Sequence, residues 1–116
     1  MKKTVSVILV CFFVLSVSLA YAHPPSNITI TFDMATKMLK AVITHQVSNP
    51  SSHYIYKVDV GLNGKEIISQ QLSSQDDNKG QTVSYFIPDA KPGDTISVEG
   101  YCNISGKLED EIKVSS

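Results

Sequence analysis

The chain has 116 residues, 42% hydrophobic and 18% charged, a size and composition suited to one small globular unit that excludes a large multidomain enzyme. Ten lysines, no arginine and eleven acids leave a formal charge of −1, which gives no electrostatic footprint for a phosphate backbone, so no nucleic-acid partner is expected.

The first element is a leader. Met1-Lys2-Lys3 is basic, Val5 to Leu19 is almost wholly apolar, and Ala20-Tyr21-Ala22 carries the small residues a signal peptidase reads. Residues 1–22 are therefore read as a secretory signal peptide cleaved after Ala22. The apolar run is about 15 residues, short of the ~20 a spanning helix needs, so no membrane association is expected after cleavage. Cys11 follows Val10 in mid-run, where lipid attachment would require a small residue at the end of the run, and is read as lost with the leader. The expected product is residues 23–116, periplasmic or secreted, with a formal charge of −3 from eight lysines and eleven acids. Its one cysteine, Cys102, allows no intrachain disulfide, and an exported thiol is expected to be either buried and inert or committed to a metal or partner.

From there the pattern is alternation rather than helical period, with β-branched and aromatic residues between turn formers. Strands are expected at 27–32, 38–44, 53–61, 65–72, 81–87, 94–101 and 107–114. In the third, Tyr54, Tyr56, Val58 and Val60 would share one face and Lys57 and Asp59 the other. Gly61-Leu62-Asn63-Gly64 reads as a tight hairpin. Further turns fall at Asp33 to Thr36, Asp76 to Gly80, Pro88 to Gly93 and Asn103 to Gly106. The best helix candidate, Leu72 to Lys79, is short and rich in Ser and Asp. About seven short strands at this spacing predict an all-β fold, an immunoglobulin-like antiparallel β-sandwich.

His23, His45 and His53 all lie at or near strand ends, and Cys102 lies at a strand-to-turn junction. The loop Gln46 to Ser52 returns the chain toward one end of the sandwich, so two imidazoles can share a site there, and together with Cys102 they form a plausible mixed nitrogen and thiolate metal site. The competing reading is a buried cysteine with surface histidines. Asp76-Asp77 has too few oxygen ligands for calcium and reads as a solvated turn; the tyrosines read as core and strand-edge residues.

Two segments carry a resemblance. His45-Gln46-Val47-Ser48-Asn49-Pro50-Ser51-Ser52-His53-Tyr54-Ile55 looks like the His-Pro…His-Tyr-Ile segment of desulfoferrodoxin and neelaredoxin, the superoxide reductases. Glu99-Gly100-Tyr101-Cys102-Asn103-Ile104-Ser105-Gly106 resembles their Glu-Tyr-Cys-Asn-x-His-Gly turn. The two occur in the family's order and the resemblance spans 23–114. It implies a mononuclear ferrous iron held by equatorial histidines and an axial cysteine thiolate, with one position open to superoxide. On that basis His23, His45 and His53 would be equatorial ligands and Cys102 the axial one. The ion would be iron, with copper or zinc as other ions suited to the same donors, and the partners would be superoxide and an external electron donor.

The chain also departs from that pattern. Ser105 stands where the family's last equatorial histidine would be, the His45–His53 loop is about two residues longer, and the residues before His23 offer no lysine outside the leader. If cleavage follows Ala22, the α-amine of His23 would supply a further nitrogen beside its imidazole. Two other readings stand beside the reductase: a metal-binding or metal-handling protein without redox turnover, and a structural or partner-binding sandwich that has lost the site.

Overall fold

The computed structural model describes residues 23–116; the leader reading of 1–22 lies outside them. The described residues hold seven strands, β1 (Asn27–Asp33), β2 (Met38–Thr44), β3 (Ile55–Leu62), β4 (Lys65–Gln71), β5 (Gly80–Phe86), β6 (Thr95–Cys102) and β7 (Lys107–Lys113). Every expected strand is present, with ends displaced by at most two residues. They form two antiparallel sheets, β1-β2-β5 and β4-β3-β6-β7, the three-plus-four arrangement of an immunoglobulin-like sandwich. No helix occurs among the described residues.

Alternation places one face of each sheet inside. From the first sheet come Ile28, Leu39, Ala41, Ile43 and Val83; from the second come Ile55, Val58, Val60, Ile96 and Val98, all buried in one cluster that Ile87, Ala90 and Val114 complete. Burying each of the larger side chains contributes roughly 1.5–3 kcal/mol, and this shared layer is what fixes the two sheets face to face.

The hairpins follow their turn chemistry. Leu62 pairs with Lys65 across Asn63-Gly64, whose φ angles of 52° and 84° are those a two-residue turn needs to match strand twist. Asn63 also accepts the Thr95 N–H at 2.9 Å and donates to Asp94 Oδ1 at 3.1 Å, tying this hairpin to the start of β6.

The expected facing of β3 needs one correction. Tyr54, Tyr56, Val58 and Val60 do not share a face, because the β3–β6 register shifts between Ile55 and Lys57. A bulge adds one residue to one strand and breaks the period of two. Ile55, Val58 and Val60 are therefore fully buried while Tyr56 is 36% exposed, with its ring centroid 6.2 Å from that of Tyr101.

The same strand ends meet at one pole of the sandwich. Asn27 pairs with Thr44, Thr44 with Gly80, and Ile55 with Cys102. The start of β1, the end of β2, the start of β3, the start of β5 and the end of β6 therefore surround one small region, into which the connecting segments carry their side chains.

Candidate metal centre

His45 continues the inward row of β2. Leu39, Ala41 and Ile43 are each fully buried, and the next residue in phase, His45, is also 0% exposed. A backbone hydrogen bond from His45 N to Lys79 O at 2.8 Å extends the chain's path past the strand end. Cys102 stands in the corresponding place on β6, following buried Ile96, Val98 and Gly100. His53 is presented by a compact turn: Ser51 N donates to Asn49 Oδ1 at 3.0 Å, and His53 N donates to Asn49 O at 2.9 Å. His23 arrives from the segment before β1, which Ser26 N anchors by donating to Thr44 O at 2.9 Å.

The three imidazoles form a nearly equilateral triangle. Their ring centroids are 4.9 Å apart for His23–His45, 4.9 Å for His23–His53 and 4.8 Å for His45–His53. One ring nitrogen from each lies within 4.8 Å of the others. Two nitrogens bound to one transition ion at ~2.0–2.1 Å stand at most about 4 Å apart, so a small contraction suffices to seat an ion.

Hydrogen bonds assign the ring protons. Gln75 is buried, and its Nε2 donates to His45 O at 2.8 Å and to Asp77 O at 3.0 Å. That orientation leaves Oε1 as an acceptor, which takes Ile55 N–H at 3.1 Å and His45 Nδ1–H at 2.9 Å. With its proton on Nδ1, His45 presents a bare Nε2, and the oxygen nearest to it, His23 O at 3.4 Å, is itself an acceptor. His23 has the same arrangement, since Nδ1 donates to Pro24 O at 3.1 Å and leaves Nε2 free. His53 Nε2 is buried and has no hydrogen-bond partner at all. Buried polar atoms rarely go unpaired, and three imidazoles with a ring nitrogen converging on one locus are what an imidazole-preferring metal ion requires.

The electrostatics at His53 favour its neutral form. Burial holds the His53 imidazole below its usual range, and the neighbouring His45 and His23 lower it further, because a second positive charge in this cluster is unfavourable.

Cys102 is buried and forms no disulfide among the described residues. Its Sγ is not among the atoms of the three-histidine group; it accepts a hydrogen bond from Ile104 N at 3.4 Å. The turn that follows it nevertheless builds the site's wall. Asn103 Oδ1 accepts Tyr54 N–H at 2.8 Å, Asn103 Nδ2 donates to Ser52 O at 3.0 Å, and Asn103 N donates to Tyr54 O at 3.0 Å, which grips the chain on both sides of His53. Gly106, with φ +86°, packs so closely on the His23 segment that a Cβ there would lie 2.8 Å from Pro24 Cβ. Ser105 in the same turn is exposed.

His23, His45 and His53 were legible as candidates, whereas Gln75 was not singled out from the sequence. The loop that holds it is organised by Asp76, which accepts Thr82 N–H at 2.9 Å and Gln81 Nε2 at 3.1 Å, and by Asp77, which accepts Lys79 N–H at 2.8 Å and Gly80 N–H at 3.2 Å. The Asp76-Asp77 pair thus caps a turn, as expected. No protein-family model matches the sequence and no curated protein matches it.

Proposed function

We propose that this protein is an exported mononuclear metal-binding protein whose ion is held by His23, His45 and His53. The observation that carries the reading is the convergence of three ring nitrogens within 4.8 Å of one another, among them the buried His53 Nε2, which has no hydrogen-bond partner. Neutral imidazoles suit iron, copper and zinc alike; iron is favoured by the resemblance to the superoxide reductases, which also makes Cys102 a further ligand. The chemistry a bound ferrous ion supplies is transfer of one electron to superoxide, giving hydrogen peroxide on uptake of two protons, with an external reductant restoring the ferrous state. For that activity the chain's own residues hold the His23 and His45 imidazoles with the proton on Nδ1, bury His45 and keep His23 at the exposed rim of the site.

The second reading, metal handling without turnover, is favoured by Ser105 and by the exclusion of Cys102 Sγ from the histidine group. Elemental analysis of residues 23–116 prepared without oxygen separates the readings from an empty scaffold. About one metal per chain, lost in His45→Ala, is the expected result; no metal after reconstitution with iron, copper and zinc would defeat both. Ser105→His then tests the reductase: faster reaction of the ferrous protein with superoxide is expected of a reductase lacking one nitrogen, and unchanged reactivity favours the handling role. Leader cleavage after Ala22 would add the α-amine of His23, whose carbonyl already lies 3.4 Å from His45 Nε2. One extra residue before His23 should then weaken copper binding.

A further inference from the structure

We infer that Gln75 is the positioning residue of this centre: its side-chain carbonyl fixes His45 with the proton on Nδ1 and the ligand lone pair on Nε2, and sets the spacing between His45 and His53. The inference rests on the proposed metal binding, but its first test does not.

Gln75 uses every hydrogen-bonding capacity of its amide. Two N–H groups go to His45 O and Asp77 O, and the two lone pairs of Oε1 accept from His45 Nδ1 and Ile55 N. A primary amide has two donors and one such oxygen, so no alternative orientation satisfies the same four partners. His45 is thereby held by ring and by backbone from a single side chain 30 positions away. The same oxygen holds the backbone at Ile55, two residues after His53, and Gln75 N donates to Pro50 O at 3.1 Å. The loop that separates the two histidine ligands is therefore fastened at its middle and at its exit by the residue that orients the first ligand. Outer hydrogen bonds of this kind set ligand tautomer and basicity, and their loss typically costs 10–100-fold in metal affinity.

The test has two arms on residues 23–116. In the metal-free protein, nitrogen-15 NMR of the imidazoles should report His45 as the Nδ1–H tautomer in wild type and in Gln75→Glu, which keeps the accepting oxygen, and as a mixture in Gln75→Met. In zinc competition against a chelator, Gln75→Met should bind 10–100-fold more weakly, whereas Gln75→Glu should bind at least as tightly as wild type even though it loses both donors and unfolds at a lower temperature. A purely structural glutamine would show affinity tracking stability, with both variants weakened alike, and that pattern would overturn the proposal. So would an Nε2–H tautomer in the wild-type protein, a result that needs no variant to fold. If wild type takes up no zinc, the metal reading fails, and the tautomer of His45 still decides what Gln75 does.

Discussion

A divalent ion that binds residues 23–116 should raise the midpoint of thermal unfolding by roughly 15–30 °C at a free concentration a thousand times its dissociation constant. Ligand that binds only the folded state contributes about 4 kcal/mol under those conditions, and about 1 kcal/mol moves the midpoint of a domain this size by ~4–8 °C. Fully buried His45 and half-buried His53 should respond differently when removed. His53→Ala should abolish the metal-dependent rise while changing metal-free stability by no more than about 1 kcal/mol, because His53 Nε2 has no partner to lose and removal of an unpaired buried polar atom offsets the lost packing. His45→Ala should also abolish the rise, but at a cost of roughly 2–3 kcal/mol to the metal-free fold, since it strips a fully buried ring from Gln75 Oε1. Calorimetry of both variants with and without zinc checks this. A large loss of metal-free stability in His53→Ala would assign that ring a structural role and count against the site.

Gly106→Val is the second change with a large expected effect. A β-branched residue at φ +86° carries a backbone cost of about 1–3 kcal/mol, and its Cβ would collide with Pro24, which must move. The segment that moves carries His23. The midpoint of the metal-free protein should fall by roughly 5–15 °C, and metal affinity should fall to the level of His23→Ala. Titration calorimetry on Gly106→Val, His23→Ala and the double variant tests the route: equal affinity of all three means that the turn acts by seating His23, because residues acting through one contact do not add. A double variant weaker by the full sum of the single losses would show that the turn acts on another ligand.

The architecture was legible because the strands obey a period of two and turn formers mark their ends. His45 was readable for the same reason, lying one step past Leu39, Ala41 and Ile43 in the inward row, and Cys102 stands likewise after Val98 and Gly100. Tyr56 was misplaced because a bulge is a property of the pairing between β3 and β6, and neither strand announces it alone. Gln75 was hidden by its surroundings: Leu72 to Lys79 is a polar loop by composition, and only its fold over the His45–His53 connection makes one glutamine in it a buried hub. His23 was a candidate by residue type; its place in the triangle depends on Ser26 and Gly106, which carry no chemistry themselves.

One histidine of the triangle lies at the very start of the described residues, and the other two flank the connection between β2 and β3. In the metal-free protein the stretch before β1 is held by one backbone hydrogen bond, Ser26 N to Thr44 O, by the packing of Pro24 on Gly106 and by the buried Pro25, so local opening there costs less than unfolding the paired strands. An ion shared by His23, His45 and His53 closes a ring of chain, as a reversible crosslink does. The segment that carries His23 then opens only when a coordinate bond breaks, so its amides exchange with solvent at a rate set by release of the ion rather than by fraying.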